Sequence, residues 1–397
     1  MALYALTILV FATTRSNTAV SALVMSFLIP TIVLSSFAGV LVDRLDIRWA
    51  LIVPNAIRTL FTLGLAIAGT DVAILLALNL GISLTTVVLT PAEASMIPRV
   101  VPTEQLETAM GIFNLTLQGA FAVGFAFLGP LMVSIAGPSF VLGVVTVFYA
   151  AATIATLGLP AAPPVARERD TARHALHEPI VQLREGLAAI ADNREVARPL
   201  IHLAAAASLV GVIGVLGPDL AASLGLATKD LVVVVLPLGL GVVVGVDALG
   251  RFAHGVPRRR AGEAGLITFS LLAVAISAVG PIGLEAGVPV IPIVVALALL
   301  AGAAYAATTV SAQTALFENM PAAVRGRVFG VLASIVSATS LVPILIAGPL
   351  ADEISAPVVI ALTAAGVLLI ASWSATLFGP RDTTVAALAS NPEGGAS

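Results

Sequence analysis

SFAGVLVDRLDIRWALI (Ser36–Ile52) places two acids and two bases, Asp43, Arg44, Asp46 and Arg48, within six positions, directly after an apolar stretch of about twenty residues. The chain as a whole is only 10% charged and 59% hydrophobic over 397 residues, with a mean hydropathy of +1.08. Soluble domains carry about 25% charged residues, so this inventory cannot cover a water-soluble surface. Charge crowded into a short segment between two apolar runs marks a tight turn at a membrane face.

Working outward from that turn, apolar runs fall near 2–14, 20–42, 51–69, 72–94, 106–133 and 138–160, and again near 199–217, 231–250, 263–281, 290–314, 325–350 and 355–379. A helix needs about 20 apolar residues to cross the bilayer core, and the runs lack the apolar/polar alternation of a membrane barrel. The expected fold is an all-α integral membrane protein with twelve transmembrane helices, arranged as two six-helix bundles. The first run is short: Met1 opens directly onto ALYALTILVFATT, 13 residues before Arg15. As a helix this rises roughly 20 Å against a core of about 30 Å. The expectation is that the first helix is incomplete and that an in-frame extension of about 15–30 residues lies upstream of Met1.

Basic residues are retained on the cytoplasmic side. With a cytoplasmic N-terminus, seventeen of the nineteen Lys and Arg fall inside, leaving only Arg15 and Lys229 outside; the opposite start reverses the ratio. Both termini are therefore expected in the cytoplasm, with the protein in the inner (cytoplasmic) membrane. Residues 1–160 form the first bundle, 161–198 a cytoplasmic linker, 199–379 the second bundle and 380–397 a disordered cytoplasmic tail. The linker holds twelve charged residues, and Ile180, Leu183, Leu187 and Ile190 share one helical face, as in an amphipathic segment lying on a membrane surface.

The halves repeat. IPRVVPTEQLETAMG (97–111) precedes the fifth run and FENMPAAVRGRVFG (317–330) the eleventh. Setting Pro102 on Pro321 brings Gly111 onto Gly330, and at the same offset Gly129-Pro130-Leu131 falls on Gly348-Pro349-Leu350. A shared offset over thirty residues reads as duplication, the arrangement in which two bundles surround a site at mid-membrane. DRLDIRW (43–49) has a weaker partner in HGVPRRR (254–260), where His254 replaces the acid.

Gly39-x-Leu41-x-Asp43-Arg44, followed by Arg48, resembles the signature loop of the Major Facilitator Superfamily. The segments PRVVPTEQLETAMG and MPAAVRGRVFG resemble the corresponding loops of its exporter branch, which holds enterobactin and macrolide exporters. The resemblance implies a secondary active transporter exporting a small amphipathic molecule in exchange for protons by alternating access. It also implies that Gly39, Asp43, Arg44 and Arg48 form a gating loop opposite the start of the eleventh helix, where Arg325 and Arg327 add positive charge. The sequence departs from the family pattern at Asp46 and Ile47, in the absence of an Arg from the fourth span, and in an incomplete antiporter motif in the fifth.

Ionisable groups inside spans are costly and usually functional. Glu93 in TPAEAS is the candidate for proton coupling, with a structural pair as the alternative. Arg58 reads as structural, its stem reaching the inner interface or its head pairing with Asp43 or Glu93. Asp219 reads as an exposed acid at the outer end of the seventh span, and Asp247 as the partner of Arg251. Asn79, Gln118, Tyr305 and Gln313, on spans four, five and ten, are the candidate substrate cavity, although each alone fits an interhelical hydrogen bond. Gly239, Gly241 and Gly245 lie inside an apolar span and fit close helix packing, not a nucleotide loop.

No Walker sequence is present, and the single Lys follows no Gly-rich loop. The four histidines lack metal spacing, and the absence of cysteine excludes disulfides and thiolate metal sites. The reading is a transporter and not an enzyme, with no metal, no cofactor and no nucleic-acid partner. Its partners are a small-molecule substrate, protons and the bilayer, and it is competent as a monomer. The competing reading is a non-transporting protein of the same fold, a sensor, scaffold or remnant.

Overall fold

The computed structural model describes residues 1–160, 194–252, 257–285, 287–318 and 325–377. Most of the expected linker, the expected tail and the side chains of Asp43, Gln118, Arg325 and Arg327 lie outside the described residues. The helices are α1 (Ala2–Thr14), α2 (Asn17–Asp43), α3 (Ile47–Ile67), α4 (Val72–Val100), α5 (Leu106–Ala122), α6 (Gly129–Ala136) and α7 (Pro138–Leu157), then α8 (Arg194–Ser223), α9 (Val232–Phe252), α10 (Arg258–Glu285), α11 (Val290–Glu318), α12 (Arg325–Glu353) and α13 (Ala356–Leu377). A π-helical stretch, Val123–Leu128, joins α5 to α6. With that pair taken as one rod, the described residues form twelve successive rods, one for each apolar run of the sequence. Among the described residues, nine helices are long and apolar enough to cross a membrane by length and composition; α1, at 13 residues, is not.

Local chemistry sets the breaks. Ser16, Asp46 and Asp71 sit in extended backbone before α2, α3 and α4, and each side chain accepts from a first-turn amide, as helix-capping residues do. Gly137, at φ 83°, makes the turn between α6 and α7, and Pro138 opens α7 at a position where its missing N–H costs nothing. Pro130 lies inside the fifth rod. Proline removes a helical hydrogen bond and crowds the preceding turn, and the wider π turn lies directly before it.

The rods alternate in direction, which gives the molecule two ends. The loop 43–47 lies at one, the loop end; the α1–α2 turn at Arg15–Ser16 lies at the other, the hairpin end. Leu115, Ile67, Ile135, Ile154 and Leu369 stand two-thirds or more exposed on the outside, an apolar exterior that only lipid solvates.

The core is not uniform along the axis. Over the hairpin end and past mid-depth, one hydrophobic cluster joins the halves, with Leu6, Val10 and Leu23 in contact with a core that includes Leu209, Leu216, Ile344 and Val359. At the loop end it divides. Val42, Ile47, Leu51, Leu89 and Met96 form a cluster confined to the first half, and Val196, Leu200 and Leu316 form one confined to the second. Among the described residues, the two bundles are welded at the hairpin end and separate at the loop end.

Two seams run through the weld, beside contacts of α1 and α2 with α8. The first pairs α2 with α12, where Ser21 Oγ donates to the Ile344 carbonyl at 3.0 Å and any side chain on Gly348 would collide with Ser21 and Asn17. The second pairs the π stretch and α6 with α9, where a Cβ on Gly239 would meet that of Ala126 at 2.8 Å. The duplication relates α2 to α9 and the fifth rod to α12, so these two seams are equivalents of one another.

Candidate functional site

The charged loop is largely occupied with its own bundle. Asp46 accepts from the Arg48 amide at 2.9 Å and caps α3. The Arg48 guanidinium donates from Nη2 to the Leu157 carbonyl at 2.7 Å, capping the last turn of α7. Arg44 is exposed, and Asp43 is the final residue of α2. Arg48 thus ties the start of α3 to the end of α7, a role within the first half that the motif alone does not reveal.

At mid-depth in the first bundle, Arg58 on α3 donates to Thr86 Oγ1 of α4 at 2.8 Å and lies 4.7 Å from the Tyr149 ring centroid of α7. Of the acids expected beside it, Glu93 lies within its electrostatic reach, the side chain of Asp43 lies outside the described residues, and the hydroxyl and ring are partners that the sequence did not suggest. A cation over an aromatic face gains electrostatic energy in apolar surroundings. Glu93, two turns further along α4, lies partly buried and within electrostatic reach of Arg58. The arrangement is a fixed positive charge beside a carboxyl at the edge of the divided end.

The second bundle holds a pair that sequence reading passed over. Arg198, near the start of α8, forms an ion pair with Glu263 on α10, both largely shielded. One turn along α8, buried His202 bonds through Nε2 to Ser374 Oγ of α13 at 2.9 Å. Arg198 was legible only as a linker charge, and Glu263 stood unremarked at the start of the ninth run; no local signal pairs residues 65 positions apart. Asp247 and Arg251 do form the expected pair, at 3.0 Å and exposed.

Of the four candidate cavity residues, three have described side chains. Asn79 is buried and donates to the Leu23 carbonyl at 3.1 Å and Ser26 Oγ at 2.9 Å; with the Ser83–Phe27 bond it stitches α4 to α2. Tyr305 is half-buried, its ring 5.5 Å from that of Phe269 inside the second bundle. Gln313 is exposed, five residues before the loop end of α11. Gln118 is placed on α5, with its side chain outside the description.

At the hairpin end, Asp219 is not the exposed loop acid of the sequence reading. It lies inside continuous α8, because Pro218 is absorbed within the helix, and accepts from Asn17 Nδ2 of the other half at 2.9 Å. Asp352, on the last turn of α12, accepts from the Asn17 amide at 2.6 Å and the Thr18 amide at 3.0 Å. It also accepts from Ser16 Oγ at 2.8 Å and Thr18 Oγ1 at 2.7 Å. The end at which the halves are welded is therefore also the end at which they are hydrogen-bonded.

Two helical bundles, joined by one core at the hairpin end and with separate cores among the described residues of the loop end, within an apolar exterior, are the architecture of a membrane transporter of small molecules that works by alternating access. The chain matches the Major Facilitator Superfamily over residues 1–342 and belongs to it. Among solved structures it is similar to the nucleoside transporter NupG, with a TM-score of 0.70 at 13% identity, covering 96% of this chain and 95% of that one. It is also similar to a POT family transporter in complex with 5-aminolevulinic acid, with a TM-score of 0.66 at 12% identity, covering 96% and 93%. At such identities the likeness is one of fold alone. No curated protein matches the chain.

Proposed function

We propose that the protein is a monomeric exporter of the inner membrane, with both termini cytoplasmic, that expels a small amphipathic molecule in exchange for protons. The observation that carries the reading is the division of the core among the described residues of the loop end. The distribution of Arg and Lys turns that end toward the cytoplasm, so the parted face is the one at which a cytoplasmic substrate would enter. Resemblance of the 97–111 and 317–330 segments to exporter loops supports the direction.

Glu93 is the proposed coupling acid. Arg58 is pinned by Thr86 and Tyr149, so its charge stays put while Glu93 gains or loses a proton. In low dielectric that one charge changes the local balance by far more than it would in water. Asp43 is the proposed cytoplasmic latch: it ends α2 on the face where α12 begins, and a helix start presents unpaired N–H groups and a positive dipole. Proteoliposomes loaded to fix an acidic lumen and given an amphipathic cationic dye test the reading. Dye accumulation that a protonophore abolishes is expected. Accumulation indifferent to the gradient, or uptake by intact cells where efflux is expected, overturns it.

A further inference from the structure

We infer that Asp352 is a positioning residue that holds the hairpin end shut, by capping a helix that belongs to the other half of the molecule. The inference rests on the alternating-access reading and adds the device that closes this face.

The start of any α-helix leaves four N–H groups without helical partners. In α2, Ser16 Oγ takes one of them, from Ala19, at 3.3 Å. Two others, those of Asn17 and Thr18, go to the Asp352 carboxylate, more than three hundred residues away on α12. The hydroxyls of Ser16 and Thr18 complete the cradle. A carboxylate accepting from backbone amides at a helix start makes charge-assisted bonds, roughly twice as strong as neutral ones, and meets the favourable end of the dipole. All four bonds cross between the halves, so none of them survives if this face opens.

The equivalent seam lacks the device. At the offset of the duplication, Asp352 corresponds to Val133, which is fully buried among apolar neighbours. There the α6 end packs against the Thr228–Leu231 turn before α9, and closure depends on small residues such as Gly239 and Ala126 in contact. One seam is thus apolar and the other is held by a directional, charged clasp. The α2–α12 seam is the one that loses charge-assisted bonds to Asp352 when the hairpin end parts.

The chain has no cysteine, so pairs of introduced ones can carry spin labels without background. Thr70 and Lys229 are exposed near the hairpin end of the first and second halves, and Leu45 and Arg260 near the loop end. Electron–electron distances from both pairs, measured on the full chain in nanodiscs, report the two faces independently of any substrate. In Asp352→Ala the hairpin-end distance should lengthen and the loop-end distance shorten, with the ratio of closed to open hairpin ends falling about tenfold or more. Ser16→Ala combined with Thr18→Val removes the hydroxyl donors from the other side and should move both distances the same way. If Asp352→Ala does not fold, that double variant decides. Should the wild type switch between two distances while both variants keep its populations, Asp352 is a surface cap and the inference is wrong. A wild type that shows one unchanging distance at each face at every pH fails the alternating-access reading itself.

Discussion

In the second bundle α9 and α11 meet backbone against backbone, and the contact predicts a specific instability. Gly241 on α9 faces the Leu299 carbonyl of α11 so closely that a methyl group would be driven into it. Reciprocally, Gly302 on α11 faces the Leu238 carbonyl, and the Val242 amide would lie 2.8 Å from its Cβ. Gly245 continues the row against Ala303 and Ala306. Side chains can rotate away from an added methyl, but a carbonyl inside a helix cannot, so Gly241→Ala must push α9 and α11 apart. Overpacking costs about 1–3 kcal/mol, and a rigid neighbour argues for the upper end. The substitution recovers about 1 kcal/mol of helix propensity, which leaves a net loss of about 2 kcal/mol. At about 2 °C per kcal/mol for a large chain, the melting midpoint in detergent should fall by about 4 °C. Gly143→Ala on α7, with nothing within 4 Å of its added methyl, is the control and should not melt lower. Once the helices have parted, Gly302→Ala should cost less in the Gly241→Ala background than alone. A Gly241→Ala protein that melts with the Gly143→Ala control refutes the reasoning.

The other expectations concern charge. Glu93→Gln keeps the shape of the side chain but cannot titrate, so gradient-driven export should be lost while dye binding persists; unchanged export by the folded variant would return Glu93 to a structural role. Asp43→Asn should raise cytoplasmic labelling of a cysteine placed at Gly326 and slow export, because a helix-end contact is worth about 0.3–1 kcal/mol exposed and up to about 2 when partly buried. Arg198→Leu strands the Glu263 carboxylate in a shielded site and should destabilise by about 3–5 kcal/mol. Adding Glu263→Leu should recover most of that loss, and a double variant no more stable than the single one would show that the pair does more than neutralise itself.

The sequence made the rods legible because length and apolarity govern membrane helices so strongly. Each of the twelve apolar runs meets a rod, and the glycines at 239, 241 and 245 lie in close packing with α11 or the π stretch. The acid at Asp46 could have been read as a cap from its place before an apolar run. What the sequence withheld are the partnerships across long separations. Arg58 offered charged partners by composition, and Glu93 does lie within its reach, but the hydroxyl and ring that fix its position were not legible. Ser16, Asn17 and Thr18 carry the chemistry of a helix start, yet nothing local says that a carboxylate from residue 352 completes it. Asn79 was legible as polar but not as the stitch between α2 and α4. Such residues look alike in sequence whether they face a cavity or a neighbouring helix, because both settings ask for one hydrogen bond in an apolar surround.

The pair α2 and α12 runs antiparallel across the junction of the halves, and each helix ends in an acid: Asp43 closes α2 and Asp352 lies one residue from the end of α12. Antiparallel packing sets each acid on the face where the partner helix starts. At the hairpin end the contact is made; at the loop end, where the cores are divided, the proposed contact is the one the opposite state would make. Such a pair biases a rocking molecule without trapping it, because each acid loses its amide partners as the other gains its own. If each contact contributes about 1–2 kcal/mol, neutralising either acid should shift the balance of states about 5- to 30-fold, in opposite directions. The consequence is a compensation that independent surface charges would not show. Asp43→Asn and Asp352→Asn together should return the hairpin-end and loop-end distances near their wild-type populations, with faster exchange between the two, since neither state keeps its clasp. A double variant whose populations match either single variant would mean that only one of the two acids acts on the equilibrium, and the exchange of caps along α2 and α12 would have to be given up.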